Sequence, residues 1–195
     1  GYVDMKPDRT NALYNGPLDS QLAHYRVFTV EQRQQMMEKA IEKNRERLAQ
    51  PLSPGAQMAF NRLKKNLERI KPLMEEEGVT SYRIYDADMP EYSAAIDVYE
   101  DKWVHLQEYA APPTIDPEAA QIRLEELIDA TERALEVERN AIYVKQRREQ
   151  KDYSQYEKLA TKGQRHIMRE HNLMFSVNFT DYLDTGIFLD HRLAR

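Results

Sequence analysis

The densest run of groups able to bind or react lies near the C-terminal end, Asn178-Phe-Thr-Asp-Tyr-Leu-Asp-Thr-Gly-Ile-Phe-Leu-Asp-His-Arg192. Aromatic, acidic, glycine and His-Arg groups follow one another there with neither a helical nor a strand period. That is more chemistry than a strand end needs. A second concentration spans residues 145–165, where seven basic residues stand against three acidic ones. Lys145, Arg147, Arg148, Lys151 and Lys158 are interleaved there with Tyr153 and Tyr156. Cations neutralise phosphates and tyrosine rings stack on unpaired bases, so this pattern points to RNA contact. The chain as a whole has a net charge of −5, and residues 79–144 alone carry five basic and fifteen acidic groups. A local anion-binding surface is therefore expected, not a general affinity for polyanions.

Other chemistries find no support. The absence of cysteine excludes disulfides, thiolate catalysis, Cys-ligated zinc and iron–sulfur clusters. None of the five histidines, His24, His105, His166, His171 and His191, pairs with another at helical ligand spacing, so no metal site is expected. His166 and His171, in a strand region, are expected on opposite faces. Six glycines are too few for a glycine-rich nucleotide cradle, and no nucleophile-elbow, phosphate-loop or dinucleotide motif occurs. Asp86 and Asp88 flank Ala87 after a strand and could hold magnesium or act as acid and base. With no third ligand they read as a strand-end turn before Pro90. No apolar run approaches the roughly 20 residues of a membrane span. The opening GYVDMKPDRT lacks the order of a secretory signal, so a cytoplasmic location is expected.

The elements that must position these groups follow from periodicity. Residues 1–27 carry turn signals at Lys6-Pro7-Asp8 and Asn15-Gly16-Pro17, with two short strands joined across Asn15-Gly16. Val30 to Ala49 is rich in strong helix formers and has a thin apolar face. A second helix, Gln57 to Glu77, carries Phe60, Leu63, Leu67, Ile70 and Met74 at three- and four-residue steps. Gly78 stops it, and Pro72 is expected to kink or loosen its last turn. The period then becomes two: strands at Ser81–Tyr85, Ala94–Tyr99 and Trp103–Tyr109, the last two forming a hairpin. Asp116-Pro117 starts a helix that reaches about Val137 on a stripe of Leu124, Leu127, Ile128 and Leu135. Strands at Ala141–Arg147, Arg165–Arg169 and Asn172–Phe179 close the chain. The expected class is α+β: a helical linker, residues 28–78, followed by a β-β-β-α-β-β mixed sheet over 79–195 with one covering helix. Residues 80–179 are expected to form one sheet.

Three stretches carry a family resemblance. They are Asn61-Arg-Leu-Lys-Lys-Asn66 running into Tyr82-Arg-Ile-Tyr-Asp-Ala-Asp-Met-Pro-Glu-Tyr92; Gln107-Glu-Tyr-Ala with Pro113-Thr-Ile-Asp116; and Asp181-Tyr-Leu-Asp-Thr-Gly-Ile-Phe-Leu-Asp-His-Arg192. Over residues 57–195 the chain resembles the K half of the fused, bifunctional 23S rRNA guanine methyltransferases of the K/L type. The resemblance implies S-adenosylmethionine as cofactor, 23S rRNA as partner, and methylation of guanine N2 by the L half and N7 by the K half. It implies that residues 1–27 close a preceding L-type domain and that residues 79–195 are an accessory domain. The K cofactor domain and its Asp-Pro-Pro motif would follow Arg195. The missing methyltransferase domains of the same parent chain are then partners. No catalytic residue and no turnover are expected of this chain alone. By the same resemblance Gly186, Phe188, Asp190, His191 and Arg192 sit over the cofactor pocket. Arg192 would meet the methionine carboxylate, Phe188 would pack on the cofactor, and Gly186 would allow close backbone approach. The rival reading is a non-catalytic protein–protein interaction module using the helices 30–49 and 57–77.

Overall fold

The computed structural model describes residues 7–15, 18–109, 115–147, 163–182 and 184–194. The chain divides into two compact units, Gly1–Pro51 and Leu52–Arg195.

In the first unit, β1 (Arg9–Asn15) and β2 (Leu18–His24) pair antiparallel, from Arg9 opposite His24 to Asn15 opposite Leu18. Leu13, Tyr14, Leu22 and Tyr25 are exposed, because a two-stranded ribbon has little to bury its side chains against. α1 (Val30–Ala49) starts on a capping box. The Thr29 hydroxyl accepts from the Gln32 amide at 3.2 Å, and the Gln32 side chain accepts from the Thr29 amide at 2.9 Å, so two otherwise unpaired helix donors are satisfied. No residue of α1 is buried.

The second unit is α+β. α2 (Pro54–Glu77) is capped by the Ser53 hydroxyl, which accepts from the Ala56 amide, and ends at Gly78 in the left-handed conformation, φ 61°. The helix continues through Pro72. β3 (Tyr82–Asp86), β4 (Ala94–Tyr99), β5 (Trp103–Tyr109) and β6 (Ile142–Arg147) make a four-stranded sheet in the order β3-β4-β5-β6. The first three run antiparallel; β5 and β6 are parallel. A parallel pair needs a crossover, and α3 (Pro117–Leu135) supplies it. Asp116 caps α3 by accepting from the Ala119 amide at 3.0 Å. α3 stops two residues short of Val137 because Glu136 turns left-handed, φ 55°.

One face of the sheet is closed by helices. Ile96, Val98, Val104 and Leu106 are buried against Ala59 and Leu63 of α2 and Leu124, Leu127 and Ile128 of α3. Two helices cover this face, not the one expected. The Phe60–Met74 stripe of α2 lies on the same core as α3, so α2 belongs with the sheet and the compact unit begins at Leu52. A Cβ at Gly55 would meet the Glu126 carboxylate and the Tyr92 hydroxyl, the tips of two side chains that would have to shift.

The expectation of one sheet over residues 80–179 is corrected. Among the described residues, β7 (Arg165–Glu170) and β8 (Leu173–Asn178) pair only with each other, as a separate antiparallel hairpin. The reason lies on the sheet's second face, where Tyr99, Trp103 and Tyr143 would otherwise meet water. Met168, Val177 and Phe179 bury against them in a second core. A hairpin laid over this face removes more apolar area from water than one extending the edge. His171 also departs from its expected strand position: it sits in the hairpin turn with φ 52°, while His166 alone faces inward.

Candidate functional site on the hairpin-facing side of the sheet

Asn178 organises the C-terminal run. Its side-chain oxygen accepts from the Thr180 amide at 2.9 Å and the Asp181 amide at 2.8 Å, and its amide group donates to Asp181 Oδ2 at 3.0 Å. Asp181 accepts in turn from the Gly163 amide at 2.7 Å. Thr185 Oγ1 bonds the buried Tyr99 hydroxyl at 2.8 Å and donates to the Ile187 carbonyl. These local bonds replace a helix or strand ladder, which is why the run shows no period.

The run closes over residues of the sheet. A β-bulge in β3 between Arg83 and Tyr85 puts Arg83 and Asp86 on one face. The Arg83 guanidinium then forks onto Asp97, Nε to Oδ1 at 2.8 Å and Nη2 to Oδ2 at 3.1 Å, and reaches Asp86 at 3.3 Å. Burial raises the Asp97 pKa, opposed by the Arg83 fork. Beside this pair lies a cavity of about 140 Å³. Sheet residues Asp97, His105 and Gln107 line its floor, and Thr185, Phe188 and Asp190 its other wall. His105 is 3% exposed, and its Nε2 has no hydrogen-bond partner. Burial first, then the nearby cations Lys145 and Arg83, hold its pKa down to about 4, so the ring is neutral at pH 7.

The residues expected at a cofactor are divided by the fold. Phe188, 58% exposed, and Asp190 line the cavity. The His191 ring lies 5.6 Å from that of Phe188, and its Nε2 is 3.7 Å from Asp190. Arg192 lies elsewhere: its Nη2 donates to Glu77 Oε2 at 2.6 Å, at the end of α2. Gly186 has φ 94°, and a Cβ at this position would meet nothing within 4 Å. Its lack of a side chain serves the backbone conformation, since φ 94° is one that a residue with a Cβ rarely adopts.

Of the expected RNA-binding residues, Lys145 is half-buried, and its ammonium donates to the Thr180 carbonyl at 2.6 Å. It ties β6 to the C-terminal run, and burial lowers its pKa, opposed by Asp181. The Arg147 side chain, Arg148, Lys151, Tyr153, Tyr156 and Lys158 lie outside the described residues. Asp86 and Asp88 serve the fold. Asp86 accepts from Arg83 and from the Tyr109 hydroxyl, and Asp88 accepts from Asn66 at 2.6 Å. Among the described residues no group of three potential metal ligands occurs, and no helix is long and apolar enough to cross a membrane. Sequence reasoning passed over Arg83, Asp97 and His105 as site residues. Only the alternation that puts 97 and 105 on one face could have signalled them.

No family model matches the chain. Part of the chain has a fold shared with a solved structure, that of SMU.776 complexed with SAH. The TM-score is 0.51 at 21% identity, covering 74% of this chain and 35% of that one. Sequence carries the comparison further, and the chain belongs to a family of ribosomal RNA methyltransferases. It is 44% identical over 200 residues, 99% of its length, to a protein of Allochromatium vinosum, and 44% identical over 199 residues to one of Syntrophotalea carbinolica. A Pseudomonas fluorescens relative is 51% identical over 144 residues. All three are ribosomal RNA large subunit methyltransferase K/L, and the chain is a segment of that family spanning about a quarter of the first relative's length (26%).

Proposed function

We propose that this chain is the accessory, RNA-orienting part of an S-adenosylmethionine-dependent 23S rRNA guanine methyltransferase. In this reading residues 1–27 close a preceding methyltransferase domain, and the segment after β8 leads into the cofactor domain of the K half. The observation that carries the reading is the 44% identity over essentially the whole chain to proteins named for that activity. When bound, S-adenosylmethionine supplies an electrophilic methyl group. Guanine N7 carries a free lone pair, so no strong base is required, and catalysis rests on holding the acceptor in line. The part of this chain is then to bind and orient RNA, through residues 145–165, and to face the cofactor with Gly186, Phe188, Asp190 and His191.

The fit to the cofactor is uneven. The exposed Phe188 ring and the Asp190 carboxylate suit a heterocycle and a cationic group. Arg192 gives one donor, Nη2, to Glu77, and a cofactor carboxylate would be met by the N–H donors its guanidinium keeps beyond that one. The cytoplasm, where ribosomal RNA is assembled into subunits, is the proposed location.

A second reading, a protein-docking module, is favoured by α1, on which Met36, Met37 and Ile41 are each more than half exposed. Salt separates the two. RNA binding through phosphates weakens with salt, whereas apolar docking does not. The catalytic part of the proposal is tested by incubating the isolated chain with 23S rRNA and S-adenosylmethionine. No methyl incorporation is expected, and turnover from a clean preparation would overturn the accessory role.

A further inference from the structure

The bend that precedes Phe188 is held from the sheet by a continuous line of hydrogen bonds. Tyr99, at the end of β4, is 1% exposed. Its hydroxyl lies 2.8 Å from Thr185 Oγ1, which lies 3.2 Å from the Ile187 carbonyl. A hydroxyl has one proton to give, and a carbonyl can only accept. The Thr185 proton therefore goes to Ile187 and the Tyr99 proton to Thr185. Burial, above all, raises the Tyr99 pKa, so the phenol keeps the proton this line needs. Phenylalanine would fill the same place in the core, so what the hydroxyl adds is its bond. The line steps across Gly186, the residue at φ 94°. The backbone joins in, because the Asn178 amide donates to the Thr185 carbonyl at 3.2 Å. On either side of Phe188, Ile187 and Leu189 pack in the second core with Tyr99. Phe188 between them is 58% exposed. An apolar ring carried outward on an anchored bend is preorganised, since little backbone freedom is left to lose on binding.

We propose that Tyr99 is a positioning residue for the cofactor. It acts through Thr185, holding the bend at Gly186 in the geometry that presents Phe188. The accessory sheet then contributes to the methyltransferase in a second way, by setting how tightly the cofactor is held. The proposal rests on the reading that the segment from Gly186 to His191 faces S-adenosylmethionine. It adds a residue of β4 that lies in the core, behind that face.

Two measurements test it. In this chain, amide hydrogen exchange at Asn178 reports whether the Thr185 carbonyl stays in place. Tyr99→Phe and Thr185→Val are each expected to speed exchange there about tenfold, the equivalent of one hydrogen bond, while the β4–β5 ladder keeps its rates. Thr185→Ser retains the hydroxyl and should stay within about twofold of wild type. In the full-length methyltransferase that carries this segment, S-adenosylhomocysteine should bind about tenfold more weakly to Tyr99→Phe and to Thr185→Val. The double variant should be no weaker than either single one, because both remove the same bond. Thr185→Ser should bind as wild type does, and KM should rise for S-adenosylmethionine but not for rRNA. Faster exchange at Asn178 with unchanged S-adenosylhomocysteine affinity would make the bond a matter of folding alone and overturn the proposal. Unchanged exchange in both variants would overturn it as well. A wild-type protein that binds no S-adenosylhomocysteine would sink the cofactor reading itself, and the proposal with it.

Discussion

Replacing His105 by glutamine should change how the fold responds to acid. A histidine in the unfolded chain titrates near 6.5, whereas His105 in the fold titrates at about 4. Because the folded value is the lower one, the folded state binds fewer protons than the unfolded state between these limits. Stability is therefore fully present above about pH 6.5 and is lost as the pH falls toward 4. At ~1.36 kcal/mol per pH unit, the gap corresponds to about 3 kcal/mol. Glutamine carries no such titration. Urea unfolding at pH 7.5, 6.0, 5.0 and 4.0, followed by the fluorescence of the single tryptophan, Trp103, reports this unit alone. Trp103 packs on His166 at 4.4 Å within the second core. The wild-type chain should lose about 3 kcal/mol more than His105→Gln between pH 7.5 and 4.0. Parallel losses in the two proteins would mean that His105 is not buried neutral, and the reasoning about the cavity would fail with it.

Other outcomes follow from the packing. Leu127, 2% exposed between α3 and the sheet, should cost about 2–5 kcal/mol when cut to alanine, measured by the same unfolding. Gly186→Ala, which forces a side chain onto φ 94°, should cost about 1–2 kcal/mol. A neutral effect would show that the turn re-forms with a negative φ.

The sequence was most readable where structure is local. The run of helix formers from Val30 to Ala49 gives α1 its limits, and Asp116-Pro117 starts α3 at its true first turn. The alternation of β4 and β5 shows which residues share a face. What could not be read depends on contacts distant in sequence. The bulge in β3 is invisible in Ser81–Tyr85, because the stretch alternates as a plain strand would. The hairpin β7–β8 has the pattern of a sheet strand pair, and only the aromatic residues on the far face of the sheet explain why it lies across them. His105 reads as an isolated histidine until Lys145, Arg83 and the C-terminal run are placed around it. Arg192 has the type of a cofactor clamp, but its partner is Glu77, 115 residues away in sequence.

The claim that this chain orients RNA is tested most directly by a salt titration of its binding to a single-stranded 23S rRNA fragment. The comparison is between the wild-type chain and the triple variant Arg147→Ala, Arg148→Ala, Lys151→Ala. Each phosphate contact contributes a slope of about −0.7 in log affinity against log salt. The triple variant should therefore bind more weakly, with a slope flatter by about 2, and Tyr156→Ala should lose affinity with little change in slope. Identical slopes for wild type and triple variant, or binding indifferent to salt, would contradict the account.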